Sequence, residues 1–271
     1  LFAANTLVAF GLVSALVQFV GQLMPAVLPG TGTTVPASIL ACLFWGVFRA
    51  APRQRLSHEF QNPQITISMV VGDLFEQDAD IVVGFTDTFD TSISDGGVIS
   101  SSTVQGQLVL RHYDGDHRRL DKDLSGALSR TIPIARETRQ TKQRGKLLRY
   151  PLGTVAVIGR PHRHVFAVAY SHMGRDNVAQ SSLKDLWLSL ERLWNAVHQH
   201  GQRRRLAMPI IGSGLARIDV LNREGLLRMI LLSFIAQSRQ AVVCNELLIV
   251  IHPNDLGEVD LLEMAAFLKS F

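Results

Sequence analysis

For its first 48 residues this 271-residue chain has no Asp, Glu, Lys, Arg or His. Cysteine is scarce, with two in all, and aromatic residues make up only 7%. Each scarcity excludes something. Cys42 and Cys244 show neither metal-ligand spacing nor a disulfide framework, which suits a reducing compartment. No tract repeats at a fixed period and none is of low complexity, so solenoid and fibrous architectures fall away. One-sided charge is lacking too: 27 basic against 23 acidic residues give a formal +4. Nucleic-acid binding calls for a concentrated basic stripe. The nearest candidates, Arg203-Arg204-Arg205 and residues 136–149, read as solvated loops, with anionic lipid as another surface they can touch. No nucleic-acid partner is expected.

What the first 48 residues do contain is apolar. Residues 1–28 are long enough for the roughly 20-residue helix that crosses a bilayer. Pro29-Gly30-Thr31-Gly32-Thr33-Thr34 reads as a turn. A second apolar run follows to residue 51, with Trp45 placed as an interfacial anchor. Gln18 and Gln22, four apart, share one helical face and suit hydrogen bonding between helices. Arg49, Arg53 and Arg55 come next, and the positive-inside rule puts them in the cytoplasm. The expectation is a multi-pass hairpin over residues 1–51 in the inner cell membrane, a polar linker over 52–63 without periodicity, and a cytoplasmic domain over 64–271.

That domain alternates strand and helix patterns. Strands are predicted at residues 65–71, 81–85, 154–158, 165–170, 206–211 and 246–251. Helices are predicted at 104–113, 120–128, 182–199, 222–238 and 256–268, and residues 136–149 form a loop. The result is an α/β fold, a mixed sheet flanked by helices. Ligands of such sheets bind at the carboxyl ends of strands.

Three loops leave predicted strand ends with residues suited to a nucleotide. Gly72-Asp73-Leu74 offers a carboxylate for an amino group, though Asp also favours turns and caps. Residues 86–102 read TDTFDTSISDGGVISSS: Thr86, Asp87, Thr88, Phe89, Asp90 and Thr91, then Gly96-Gly97, whose backbone can approach a ligand, then Val98-Ile99, which mark the loop as ordered. Gly212-Ser213-Gly214 follows the strand at 206–211 and leads through Leu215, Ala216, Arg217 and Ile218 towards a helix. Backbone amides and a hydroxyl there suit phosphate, and a plain strand-to-helix turn also uses such glycines. The histidines His112, His162, His164 and His172 form no triad or metal spacing with the aspartates. No catalytic residue, metal or cofactor is assigned.

The segments VVGDLF, DIVVGF with SDGGVI, and PIIGSGLARI, in this order, resemble the macrodomain family. The resemblance implies a macrodomain-like mixed sheet that binds an ADP-ribose derivative, with Asp73 and Leu74 at the adenine and the Gly-rich loops at ribose and diphosphate. Where macrodomains commonly carry an Asn-Ala-Ala-Asn-like stretch, this chain has GFTDTFDTS. The departure counts against ADP-ribosyl hydrolase activity, the alternative reading. With the apolar N-terminus, the chain looks like the membrane-linked macrodomain effectors of type II Thoeris antiphage systems. That resemblance implies a histidine–ADP-ribose signal made by a TIR-domain enzyme, homo-oligomerisation, and disruption of the lipid bilayer.

Overall fold

The computed structural model describes residues 55–93, 97–160, 162–214, 218 and 220–271, with eight isolated positions (10, 11, 14, 15, 36, 39, 40 and 42) before them. Apart from those positions, the hairpin expected over residues 1–51 lies outside the described residues, Gln18, Gln22 and Trp45 included. Among the described residues no helix is long and apolar enough to cross a membrane. The chain divides into two compact units, Leu1–Arg53 and Gln54–Phe271, and the second carries the described sheet.

In chain order the strands are β1 (Arg55–Gln61), β2 (Gln64–Val71), β3 (Asp80–Thr86), β4 (Ala135–Arg136), β5 (Leu148–Arg149), β6 (Val155–Arg160), β7 (Arg163–Met173), β8 (Ala179–Gln180), β9 (Leu206–Met208) and β10 (Glu246–Ile251). The helices are α1 (Val104–His112), α2 (His117–Ala127), α3 (Leu183–His200), α4 (Arg223–Gln240) and α5 (Leu261–Lys269). The main sheet runs β1-β2-β10-β9-β3-β7-β6, with β8 on β7, while β4 and β5 form a separate ribbon. Neighbours from β2 through β10, β9 and β3 to β7 are parallel, β1, β6 and β8 join this sheet by antiparallel pairing, and the β4–β5 ribbon is antiparallel. The sheet is mixed, as the alternation of patterns implies.

Burial explains the layers. The central strand β3, DIVVGFT, is buried along nearly its whole length, as a strand covered on both faces must be. One face packs on α3, α4 and α5 through Leu186, Leu190, Trp194, Phe234 and Leu268. The other packs on α1 and α2 through Leu108, Leu120 and Leu124. Trp194 donates its indole N–H to the Ser233 hydroxyl at 3.0 Å, so the polar edge of a buried ring is satisfied. α3 starts at a capping box between Ser182 and Asp185, and α4 at Asn222, which accepts the Gly225 amide.

Several expected boundaries move for identifiable reasons. Within the expected linker, residues 55–61 form strand β1, antiparallel to β2; Leu56, His58 and Phe60 are half-buried between exposed neighbours. The strand expected to reach residue 211 stops at Met208, before Pro209, which has no amide hydrogen for a ladder. The final helix splits into a 3-10 segment, Pro253–Glu258, and α5, whose start is set by the Asp260 carboxylate accepting the Leu262 and Glu263 amides. Asp116 likewise starts α2 at His117, three residues before the expected position.

Candidate functional site

Because β2, β9 and β3 point the same way, the loops after Val71, Met208 and Thr86 leave the same end of the sheet. This brings the three predicted loops to one rim. Their side chains meet different fates.

Asp73 caps the 3-10 turn Leu74–Glu76, accepting the Phe75 amide at 2.8 Å. Its second oxygen pairs with Arg111 of α1 at 2.6 Å, and Arg111 lies over the Phe75 ring. The first loop is thus tied to the helix that follows the second. Asp73 keeps partial exposure, and Leu74 is buried.

The stretch Thr86, Asp87, Thr88, Phe89, Asp90 and Thr91 is buried throughout. Phe89 adopts a left-handed conformation, φ 48°, and packs between Phe85 and Tyr150 at ring separations of 5.5 and 5.8 Å. The Asp90 carboxylate is filled from within: it accepts the Thr88 hydroxyl at 2.5 Å, the Lys142 ammonium at 2.7 Å and the Lys146 amide at 2.5 Å. Lys142 itself is fully buried and also donates to the Lys146 carbonyl at 2.8 Å. Gly145 sits over this carboxylate with φ +80°, where any Cβ would collide with Asp90. Thr91 donates to Asp121, which also pairs with Lys146.

Asp87 is equally occupied. It accepts Arg149 at 2.6 Å and the Met173 amide at 2.9 Å, and lies 3.1 Å from His172 Nδ1. Arg149 spans the cluster, donating also to Glu137 at 2.5 Å and to the Met173 carbonyl at 2.7 Å. The Thr141 hydroxyl and then Arg149 hold the Glu137 carboxyl below the usual carboxylate range. For Arg149, burial opposes the charge, but Glu137 and Asp87 outweigh it and strengthen the guanidinium's hold on its proton.

These contacts correct one sequence reading and add to another. The basic stretch 136–149 is not a simple solvated loop, because Lys142 and Arg149 turn inward to neutralise Asp90 and Asp87. Asp87 and Asp90 brace the loop: each has about 1% side-chain exposure and hydrogen-bonds through both of its oxygens to groups inside the fold. Half-exposed His172 meets solvent in this cluster, and the sequence reading gave it no partner. The signal available was charge complementarity between two aspartates and a basic stretch about fifty residues on.

Beyond Thr91 the loop closes on itself through the Ile99 amide, which donates to the Ser92 carbonyl at 3.1 Å. Gly97 and Val98 are half-exposed and Ile99 is buried, while Gly96 lies outside the described residues. α1 begins just after, with Thr103 capping the Gly106 amide at 3.0 Å and Gln105 donating to the Asp90 carbonyl. In the third loop Gly212 has φ +94° and packs against Ile218, Leu186 and Leu226. Its glycine therefore serves a tight turn against apolar side chains. Ser213 donates to the Ile210 carbonyl, Gly214 is exposed and Ile218 is buried. Leu215, Ala216 and Arg217 lie outside the described residues. Among the described residues no cluster of His, Cys, Asp and Glu could hold a metal ion.

A mixed sheet between helical layers, with Gly-containing loops at the ends of its parallel strands, is the architecture of a macrodomain. An Oceanobacillus iheyensis macrodomain, solved as two single-residue variants, superposes with TM-scores of 0.52 and 0.54 at 13% and 12% identity, covering 82% and 80% of this chain and 97% and 98% of the other. Residues 67–252 match the family described as Thoeris protein ThsA, Macro domain, and the chain belongs to that family. The Thoeris protein ThsA of Bacillus amyloliquefaciens (strain Y2) is 27% identical over 205 residues, 73% of this chain and 66% of that protein. The match thus spans just under two thirds of that relative's length.

Proposed function

We propose that this chain is a Thoeris sensor that binds an ADP-ribose-derived signal at the rim formed by its three strand-end loops. The observation that carries the reading is the convergence of those loops in a member of the ThsA macrodomain family. Asp73 and Leu74 receive the adenine. The backbone amides from Gly96 to Ile99 and from Gly212 to Ile218 receive the diphosphate. The Thr86–Thr91 stretch shapes the floor through its backbone, its side chains being committed inside. The signal is histidine-linked ADP-ribose, supplied by a TIR-domain enzyme. Binding favours one state of a homo-oligomer, and the apolar residues 1–51, in the inner membrane, then disrupt the bilayer.

Binding without turnover fits the buried, ion-paired state of Asp87 and Asp90. The test is calorimetric titration of residues 54–271, a compact unit with its own core, with ADP-ribose and with histidine-linked ADP-ribose, and chromatography of each ligand afterwards. Tighter binding of the conjugate with both ligands recovered intact is the expected result. Consumption of either ligand would replace the sensor with a hydrolase, and absence of heat with both would remove the nucleotide reading.

A further inference from the structure

The ribbon formed by β4 and β5 has two unlike faces. Its register sets Ala135 beside Arg149 and Arg136 beside Leu148. Arg149 turns inward to Asp87 and Glu137. Leu148 and Arg136 therefore lie on the outward face, and just before them Ile132 and Ile134 stand 83% and 61% exposed. Single exposed apolar residues are ordinary on a protein surface. Here two isoleucines stand exposed two residues apart, Leu148 is exposed in the ribbon they lead into, and the exposed cations Arg130 and Arg136 bracket the isoleucines in sequence.

The charge of this segment is mostly of one sign. Residues 130–149 hold seven Lys or Arg and one acid, Glu137. Lys142, Lys146 and Arg149 are paired with Asp90, Asp121 and Asp87, and Glu137 with Arg149, so no acidic side chain of the segment is left to offset Arg130 and Arg136. A second copy docking through the same face would set arginine against arginine, which costs affinity. An anionic bilayer surface satisfies both features, taking apolar side chains at the acyl boundary and cations at the headgroups.

We infer that the β4–β5 ribbon is a membrane-surface contact, which inserts Ile132 and Ile134 into an anionic lipid interface with Arg130 and Arg136 at the headgroups. It is a different lipid contact from the apolar N-terminus and does not depend on what that segment does. It is also joined to the candidate site, because the ion pairs Lys142–Asp90 and Arg149–Asp87 hold the ribbon's own segment against the loop after β3.

The experiment uses the full chain, with Cys42→Ala and Cys244→Ala, and a single cysteine carrying an NBD fluorophore at Ile134→Cys or, as control, at Leu262→Cys, an exposed position on α5. The chain is reconstituted into vesicles of phosphatidylcholine with phosphatidylglycerol, or of phosphatidylcholine alone. The expected result is a blue shift and brightening at position 134 in the anionic vesicles only, with position 262 remaining aqueous. Arg130→Gln with Arg136→Gln, both on exposed side chains, should abolish the shift while leaving the thermal midpoint unchanged. An aqueous signal at 134 in anionic vesicles, or an equal response at 134 and 262, overturns the proposal. So does a shift at 134 in detergent that grows with protein concentration, which would assign the face to a second copy.

Discussion

A buried ammonium is expensive unless it is paired and hydrogen-bonded, and Lys142 meets both conditions through Asp90, Thr88 and the Lys146 carbonyl. Removing one partner leaves the other charge stranded. Lys142→Ala should therefore cost about 3–5 kcal/mol of stability in a denaturant titration. The paired change Lys142→Met with Asp90→Asn should recover most of that loss, since the Asn carbonyl still accepts from Thr88 or Lys146. Equal destabilisation by the single and paired variants would show that the cluster is not an ion pair held against desolvation. In sequence Lys142 looked like one more cation in a basic stretch. Its partner lies 52 residues away, beyond the reach of any local pattern.

At the level of elements, β1 is the instructive case. RLSHEFQ alternates polar with larger side chains, but its polar positions include the charged Arg55 and Glu59 and it is weakly apolar, so it reads as solvated chain. Pairing with β2 over seven residues makes it a strand, and Leu56 and Phe60 then pack against the main core. Charges on its outer positions, Arg55 and Glu59, are what an exposed edge strand uses to discourage further pairing. Hydrogen exchange should show protected amides within residues 55–61, where a linker would exchange at the open-chain rate. Phe60→Ser should lower stability by about 1 kcal/mol, the share expected for a half-buried aromatic. The two long helices were easier to read, since Ser182 and Asn222 mark their starts with side chains that cap locally.

For the whole molecule, Glu246 ties several strands together. Its carboxylate accepts Ser68 of β2 at 2.7 Å, Arg55 of β1 at 2.8 Å and Arg205, just before β9, at 2.7 Å. Burial pushes this carboxyl up, but the Ser68 hydroxyl and then the two arginines outweigh it, so its folded value lies below the usual carboxylate range. A depressed carboxyl contributes stability that is complete above the unfolded value and is lost as the pH falls through the folded one. Wild type and Glu246→Gln should thus differ most at neutral pH and converge in acid. A difference independent of pH would mean that packing, not ionisation, is at work.

The sequence alone determined the alternation of strands and helices, the caps, the apolar character of the first 48 residues and the order of the three loops. All of these depend on neighbours a few residues apart, through side-chain periodicity, turn conformation and capping. Only the tertiary structure decided which polar residues were spent inside. Asp87, Asp90 and Lys142 are ordinary surface residue types, and each is buried only because a distant segment supplies the opposite charge, with Arg149 half-buried against Asp87. It also decided that the ribbon supplying Arg149 turns Leu148 and Arg136 outward, with two exposed isoleucines just before it, since facing depends on strand register and register is set between segments, not within one.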